Sequence, residues 1–136
     1  MRIFKLLFTF FFISVFIACS VEPRPINFGN DHCVYCKMTI SDPKYGAELV
    51  TDKGRIYKFD AIECMIPYIK ENPETEFSYI MAIAYDEPKK LKKVEELHFV
   101  KNEHFKSPMG KNLAAFSKEP KEFESLDWKQ LKKSFN

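Results

Sequence analysis

The sequence has no apolar run long enough to cross a bilayer as a helix. Its one uncharged apolar stretch, Leu6 to Ala18, is thirteen residues broken only by Thr9 and Ser14. At 1.5 Å per residue it rises roughly 20 Å against a hydrocarbon core of about 30 Å. A surplus of one charge is also missing, with Lys+Arg at 21 and Asp+Glu at 19, which argues against the basic footprint of a nucleic-acid binder. There is no second Cys-x-x-Cys to complete a four-sulfur zinc site. No nucleophile, general base and orienting acid stand in a recognisable motif, so hydrolytic catalysis has no support. Internal repeats are not obvious either.

What is present begins with a basic start, Arg2 and Lys5, then the short apolar stretch and a small residue before a cysteine. That reads as a secretory signal over residues 1–18. Phe16-Ile17-Ala18-Cys19 resembles the cleavage site of bacterial lipoproteins, which implies lipidation of Cys19, with Phe16 where Leu is usual. A diacylated, N-acylated cysteine carries enough chains for stable anchoring. The expected location is therefore the cell envelope, lipid-anchored and facing the periplasm or the cell exterior. Loss of Arg2 and Lys5 leaves a formally neutral mature chain, and six of the fourteen Phe leave with them. Three thiols then remain, Cys33, Cys36 and Cys64. An odd number cannot pair fully in an oxidising compartment, so at least one stays free or coordinates something.

Residues 19–31, with two prolines and little periodicity, are expected to form a tether, and residues 32–136 the domain. Ala47 to Thr51 and Arg55 to Phe59 flank Asp52-Lys53-Gly54, which predicts a β-hairpin. Asp60 with Glu63 three residues on suggests a capping box. Ile62, Met65, Ile66 and Ile69 follow at helical spacing. Pro67 interrupts that helix, and Asn72-Pro73 ends it. Ser78 to Tyr85 reads as a buried strand, and Asp86 to Lys93, with four lysines, as a solvated loop or helix face. Further strands are expected at 97–100 and 113–116, then helices at 120–126 and 127–135.

The chemistry concentrates in His32-Cys33-Val34-Tyr35-Cys36-Lys37-Met38. A Cys-x-x-Cys pair serves as half a zinc site, a redox dithiol, or a thiolate pair for a soft metal. Zinc is not excluded, because His98 and His104 are spaced at the upper end of the usual pairing, and it would make the chain a zinc-stabilised interaction module. A thiol–disulfide oxidoreductase using Cys33 and Cys36 is the other alternative, although no strand precedes Cys33 and Ser41-Asp42-Pro43 breaks any following helix. Met38 favours a soft ion. If Cys36-Lys37-Met38 is extended, side chains two apart share a face, and a thioether suits Cu(I) better than zinc. Cys64, beside the helix's core stripe, reads first as a buried small hydrophobe and second as a metal or redox partner. His32 is expected to be solvated, with ligation as its alternative.

Cys33-Val34-Tyr35-Cys36-Lys37-Met38, then Phe59-Asp60 leading to Glu63-Cys64-Met65 and Tyr68, then Ser107-Pro108-Met109-Gly110 and Leu113-Ala114-Ala115-Phe116 resemble the NosL family in order and spacing. The likeness runs over essentially all of the mature chain. It implies an α+β fold of two small ββαβ-like halves and a copper chaperone rather than an enzyme. It also implies an ABC-type membrane complex and a copper reductase, nitrous oxide reductase, as partners. By position it assigns the metal to Cys33, Cys36, Met38 and Met109. Lys37 stands where the family commonly has Gly, and Pro67 interrupts a helix that usually runs uninterrupted.

Overall fold

The computed structural model describes residues 20–136, so the expected signal and Cys19 lie outside the described residues. Among those residues no helix is long and apolar enough to cross a membrane. The fold is α+β with two small antiparallel sheets. β1 (Ala47–Thr51) and β2 (Ile56–Phe59) form the expected hairpin, followed by helix α1 (Ile62–Glu71), β3 (Phe77–Ala84) and β4 (Glu87–Lys93). Together the four strands make a sheet of order β2-β1-β3-β4. A 3-10 turn, Val94–Glu96, leads to β5 (His98–Lys101), which pairs with β6 (Leu113–Phe116), and α2 (Trp128–Lys133) closes the chain. The first half is thus ββαβ with one strand added, and the second is a reduced, two-stranded unit.

All five residues of β1 are buried because both faces of this inner strand are covered. Ala47 and Leu49 join the main core with Phe59, Met65, Ile66 and Ala82. The opposite face is covered by the segment expected to be a tether. Arg24 N–H donates to Glu48 Oε1 at 2.8 Å, Ile26 is buried, and Asp31 pairs with Lys58 at 2.6 Å. The packed domain therefore begins near residue 24 rather than at His32. Sequence periodicity cannot reveal a strap that docks through single residues. Gly46, at φ +124°, lets the strap approach, since a Cβ there would meet Ile26 Cδ1 at 3.0 Å.

Three local expectations are corrected. The four-lysine stretch is an edge strand, not a loop or helix face: Leu91 pairs with Ile83, Lys89, Lys90 and Lys93 are exposed, and the half-buried Lys92 pairs with Glu87 at 2.8 Å. Charge and Pro88 are tolerated at an edge, where one row of backbone groups is unpaired. Residues 120–126 form no helix. Leu126 is extended and exchanges both backbone hydrogen bonds with Phe99, at 2.8 and 2.9 Å. The capping box at Asp60 and Glu63 is also absent, since the N-cap is Ala61 without a side-chain bond. A complete capping box forms instead at Asp127 and Gln130. Helix α1 continues through Pro67 to Glu71.

Glu48 makes a measurable pH dependence. It is fully buried, and Oε2 has no hydrogen-bond partner among the described residues. Burial pushes its carboxyl up to about 6 from the ordinary 4.5, opposed by the Arg24 N–H and by Lys58. A folded-state pKa raised above the unfolded one means the folded state holds its proton more tightly. The destabilisation is complete above pH 6 and disappears as pH falls through 4.5, an effect of roughly 2 kcal/mol at 1.36 kcal/mol per pH unit. Urea unfolding of wild type and Glu48→Gln at pH 7.5 and pH 4 is expected to show their difference shifting by about this amount in favour of wild type at the lower pH. Parallel pH profiles for the two proteins would contradict it.

Candidate metal centre

The loop carrying the cysteines is a closed turn. Residues His32 and Thr39 form a β-bridge, Cys33 N–H donates to Met38 O at 2.8 Å, and Lys37 N–H donates to Cys33 O at 3.0 Å. Lys37 takes φ +67° to make this closure, a left-handed conformation that glycine adopts at no steric cost and lysine adopts at roughly 1–2 kcal/mol. The expected extended geometry of Cys36-Lys37-Met38 is therefore replaced by a turn. Cys36 is half-buried while Met38 turns outward and is 46% exposed. Two anchors set the loop against the rest of the fold. Val34 N–H donates to Lys58 O of β2 at 2.9 Å, and the Tyr35 hydroxyl donates to Glu71 Oε1 at the end of α1, at 3.0 Å.

This docking brings Cys33 against the first turn of α1, where Cys64 is the third residue. Cys33 is 1% exposed and Cys64 fully buried. The sulfurs of Cys33, Cys36 and Cys64 all lie within 4.8 Å of one another, and all three cysteines are free of disulfides. Cys64 is thus a member of the cluster, beyond the small core residue its helical position suggested. The signal available in the sequence was the odd thiol count, which says that a sulfur is unpaired without saying where it goes.

Electrostatics single out Cys33 as the thiolate. A hydrogen bond from the Cys64 thiol lowers it most, burial opposes, and backbone N–H groups of Asp60, Cys36 and Tyr35 lower it further, to about 5. The Cys36 N–H lies 3.4 Å from Cys33 Sγ. The start of α1 adds the partial positive charge of a helix N-terminus, which favours a thiolate. The proton shared with Cys33 drives Cys64 upward, and burial adds to it. Cys36 is raised chiefly by burial. Asp60, 4% exposed, is pushed up to about 6 by burial first and then by the Cys33 charge, Asp42 and Glu63.

The remaining residues read as metal ligands lie at the surface. Met109 is 40% exposed on a turn closed by Gly110 N–H to Ser107 O at 3.0 Å. His32 is exposed, its Nε2 3.4 Å from Thr39 Oγ1. His98 sits on β5 and His104 stacks edge-on against Phe105, neither belonging to the sulfur cluster.

A metal–sulfur distance of about 2.3 Å places three sulfurs of a trigonal site roughly 4 Å apart. Sulfurs within 4.8 Å of one another meet that geometry after contraction of less than about 1 Å, within rotamer adjustment. Three soft donors, one already ionised, suit a soft monovalent ion.

Comparison with known proteins bears on the family and the fold. The family model described as NosL matches residues 25–124. Among solved structures, the crystal structure of the copper chaperone NosL from Shewanella denitrificans superposes with a TM-score of 0.66 at 13% identity, covering 82% of this chain and 96% of that one. No curated protein sequence matches.

Proposed function

The chain belongs to the NosL family, and from that premise we propose that it is a Cu(I) carrier, not an enzyme, that collects the ion at Cys33, Cys36 and Cys64 and passes it on. The observation that carries the reading is the trio of sulfurs within 4.8 Å of one another; the hydrogen bonds that Cys33 accepts push its thiol down from the ordinary value. Cu(I) accepts thiolate and thioether sulfur readily. Three cysteines alone fall one ligand short of a closed structural zinc site. Met38, exposed two residues from Cys36, would supply a thioether on the solvent side to receive the ion during transfer. An exchange of this kind needs an open side, where an incoming ligand attaches before an old one leaves.

The same proposal extends to the rest of the chain. Lipidation of Cys19 would hold the carrier at an envelope membrane. There the recipient would be an ABC-type complex and, beyond it, a copper reductase such as nitrous oxide reductase. The solved relative from Shewanella denitrificans is itself a copper chaperone. Reduced protein titrated anaerobically against a Cu(I) chelator is expected to bind one ion per chain, and Met38→Leu to weaken it by about tenfold, the lower end of what a supporting shell contributes. Insulin-reducing activity that survives Met38→Leu would favour a thiol–disulfide enzyme instead. Unfolding on zinc removal would favour a structural site.

A further inference from the structure

The three sulfurs are gathered where an ion arriving from solvent does not meet them all. Cys33 and Cys64 are buried, and Cys36 is half-buried. An ion that is collected and later given up has to pass through a state in which the cysteine loop stands away from α1. Two bonds from the tip of that loop oppose the movement. Val34 N–H to Lys58 O joins backbone to backbone. The Tyr35 hydroxyl to Glu71 Oε1, at 3.0 Å, joins two exposed side chains, and water takes over both partners when it breaks. Cys64 and Glu71 are seven residues apart on α1, two turns or about 10 Å along one face of the helix. The loop therefore meets that face twice, where Cys33 receives the Cys64 thiol and where Tyr35 reaches Glu71. Tyr35 itself lies between the paired cysteines, and its backbone N–H is one of the donors to the Cys33 sulfur. The helix does not account for Glu71. A carboxylate in the last turn opposes the negative end of the helix dipole, where its neighbour Lys70 has the favourable sign.

We propose that Glu71 is a positioning residue for copper transfer, acting through the Tyr35 hydroxyl as a latch that holds the cysteine loop shut over Cys33 and Cys64. This rests on the copper-carrier reading above. Release of one exposed bond frees the loop tip for an incoming ligand to reach the sulfurs, and its return sets them back in place.

The test uses the full chain, reduced, as wild type, Tyr35→Phe, Glu71→Ala, the double variant and Glu71→Gln. In the copper-free protein, iodoacetamide labelling of Cys64 at low conversion, located by mass spectrometry, reads loop opening, with the half-buried Cys36 as internal reference. A buried group reacts in proportion to the population of the open form, and one such hydrogen bond is worth a factor of about five. Labelling of Cys64 relative to Cys36 is therefore expected to accelerate about fivefold in Tyr35→Phe and in Glu71→Ala. The double variant should go no faster than the quicker single, because both changes remove the same bond. Glu71→Gln, whose amide oxygen still accepts, should stay within about twofold of wild type. Stopped-flow exchange of Cu(I) with a chelator should quicken by the same factor in both directions, so that affinity changes less than either rate. Unchanged Cys64 labelling, effects that multiply in the double variant, or Glu71→Gln as fast as Glu71→Ala overturns the latch and leaves the carrier reading intact, provided wild type binds copper. Faster labelling with unchanged copper exchange overturns it as well. Wild type that holds no copper overturns both.

Discussion

Cys33→Ser is expected to lower Cu(I) affinity by more than about a hundredfold, because loss of a mere outer-shell partner already costs 10- to 100-fold and Cys33 is the centre of the cluster. Its sulfur receives the Cys64 thiol and the N–H groups of Asp60, Cys36 and Tyr35, so it is the one donor ionised before the metal arrives. Serine cannot ionise near neutral pH, and its oxygen is a hard donor ill-suited to Cu(I). Since Cys33 is 1% exposed, the half-buried Cys36→Ser serves as the variant least able to disturb folding, and a large loss is expected there too. The pH dependence resolves the coordination number. Cys36 and Cys64 are both raised above the ordinary thiol value, so each stays protonated at neutral pH and must release its proton on ligation. Affinity should therefore climb by about tenfold per pH unit for each such cysteine engaged, between pH 6 and 8. A slope near two means all three sulfurs bind, and a slope near one means that one of the pair is left out. A flat profile, or wild-type affinity in both serine variants, sinks the three-sulfur site.

What the sequence disclosed and what it hid follow from the range of the forces involved. The β1–β2 hairpin was legible because Asp52-Lys53-Gly54 states its turn chemistry locally. Helix α1 was legible because Ile62, Met65, Ile66 and Ile69 repeat at its period. The Cys-x-x-Cys turn was legible for the same reason, as two sulfurs separated by a short loop. Cys64 was ambiguous because its role depends on Val34 binding Lys58 and Tyr35 binding Glu71, contacts over 24 and 36 positions that no window contains. The Asp60–Glu63 pattern misled for a related reason. Both residues have the spacing of a capping box, yet long-range partners claim them. Asp60 gives its N–H to Cys33, and Glu63 gives its carboxylate to Ser107. β4 was read as a charged solvated segment because its four lysines mask the alternation, and at a sheet edge that alternation needs only Leu91 and β3 to pair. Lys37 is the clearest gain from structure. Glycine at that position answers a left-handed turn, and here lysine takes φ +67° and ties its own Nζ back to Val34 O at 2.6 Å.

Phe59→Ala is expected to destabilise the protein by about 3–5 kcal/mol, the range for truncating a fully buried phenylalanine. Phe59 is wholly buried at the end of β2 and stacks edge-on with Tyr68 of α1, ring centroids 5.2 Å apart. It therefore joins the sheet to the helix that carries Cys64. Domains of this size have stabilities of about 5–15 kcal/mol, so the loss removes a large share. Phe59 also precedes Asp60, whose N–H reaches Cys33, and the cavity should loosen that N–H and let the Cys33 thiol rise toward its ordinary value. Copper and folding then become linked. An ion that binds only the folded state raises its stability by RT ln(1 + [L]/Kd), about 2.7 kcal/mol at a hundredfold excess over Kd. Adding one equivalent of Cu(I) to Phe59→Ala should thus recover a substantial part of the lost melting temperature. The same ion should leave a variant carrying both Phe59→Ala and Cys33→Ser where it was. Thermal unfolding followed by circular dichroism, with and without copper, measures both effects. Equal recovery in the two variants would mean that the ion acts elsewhere on the chain, and the three sulfurs would lose their claim to it.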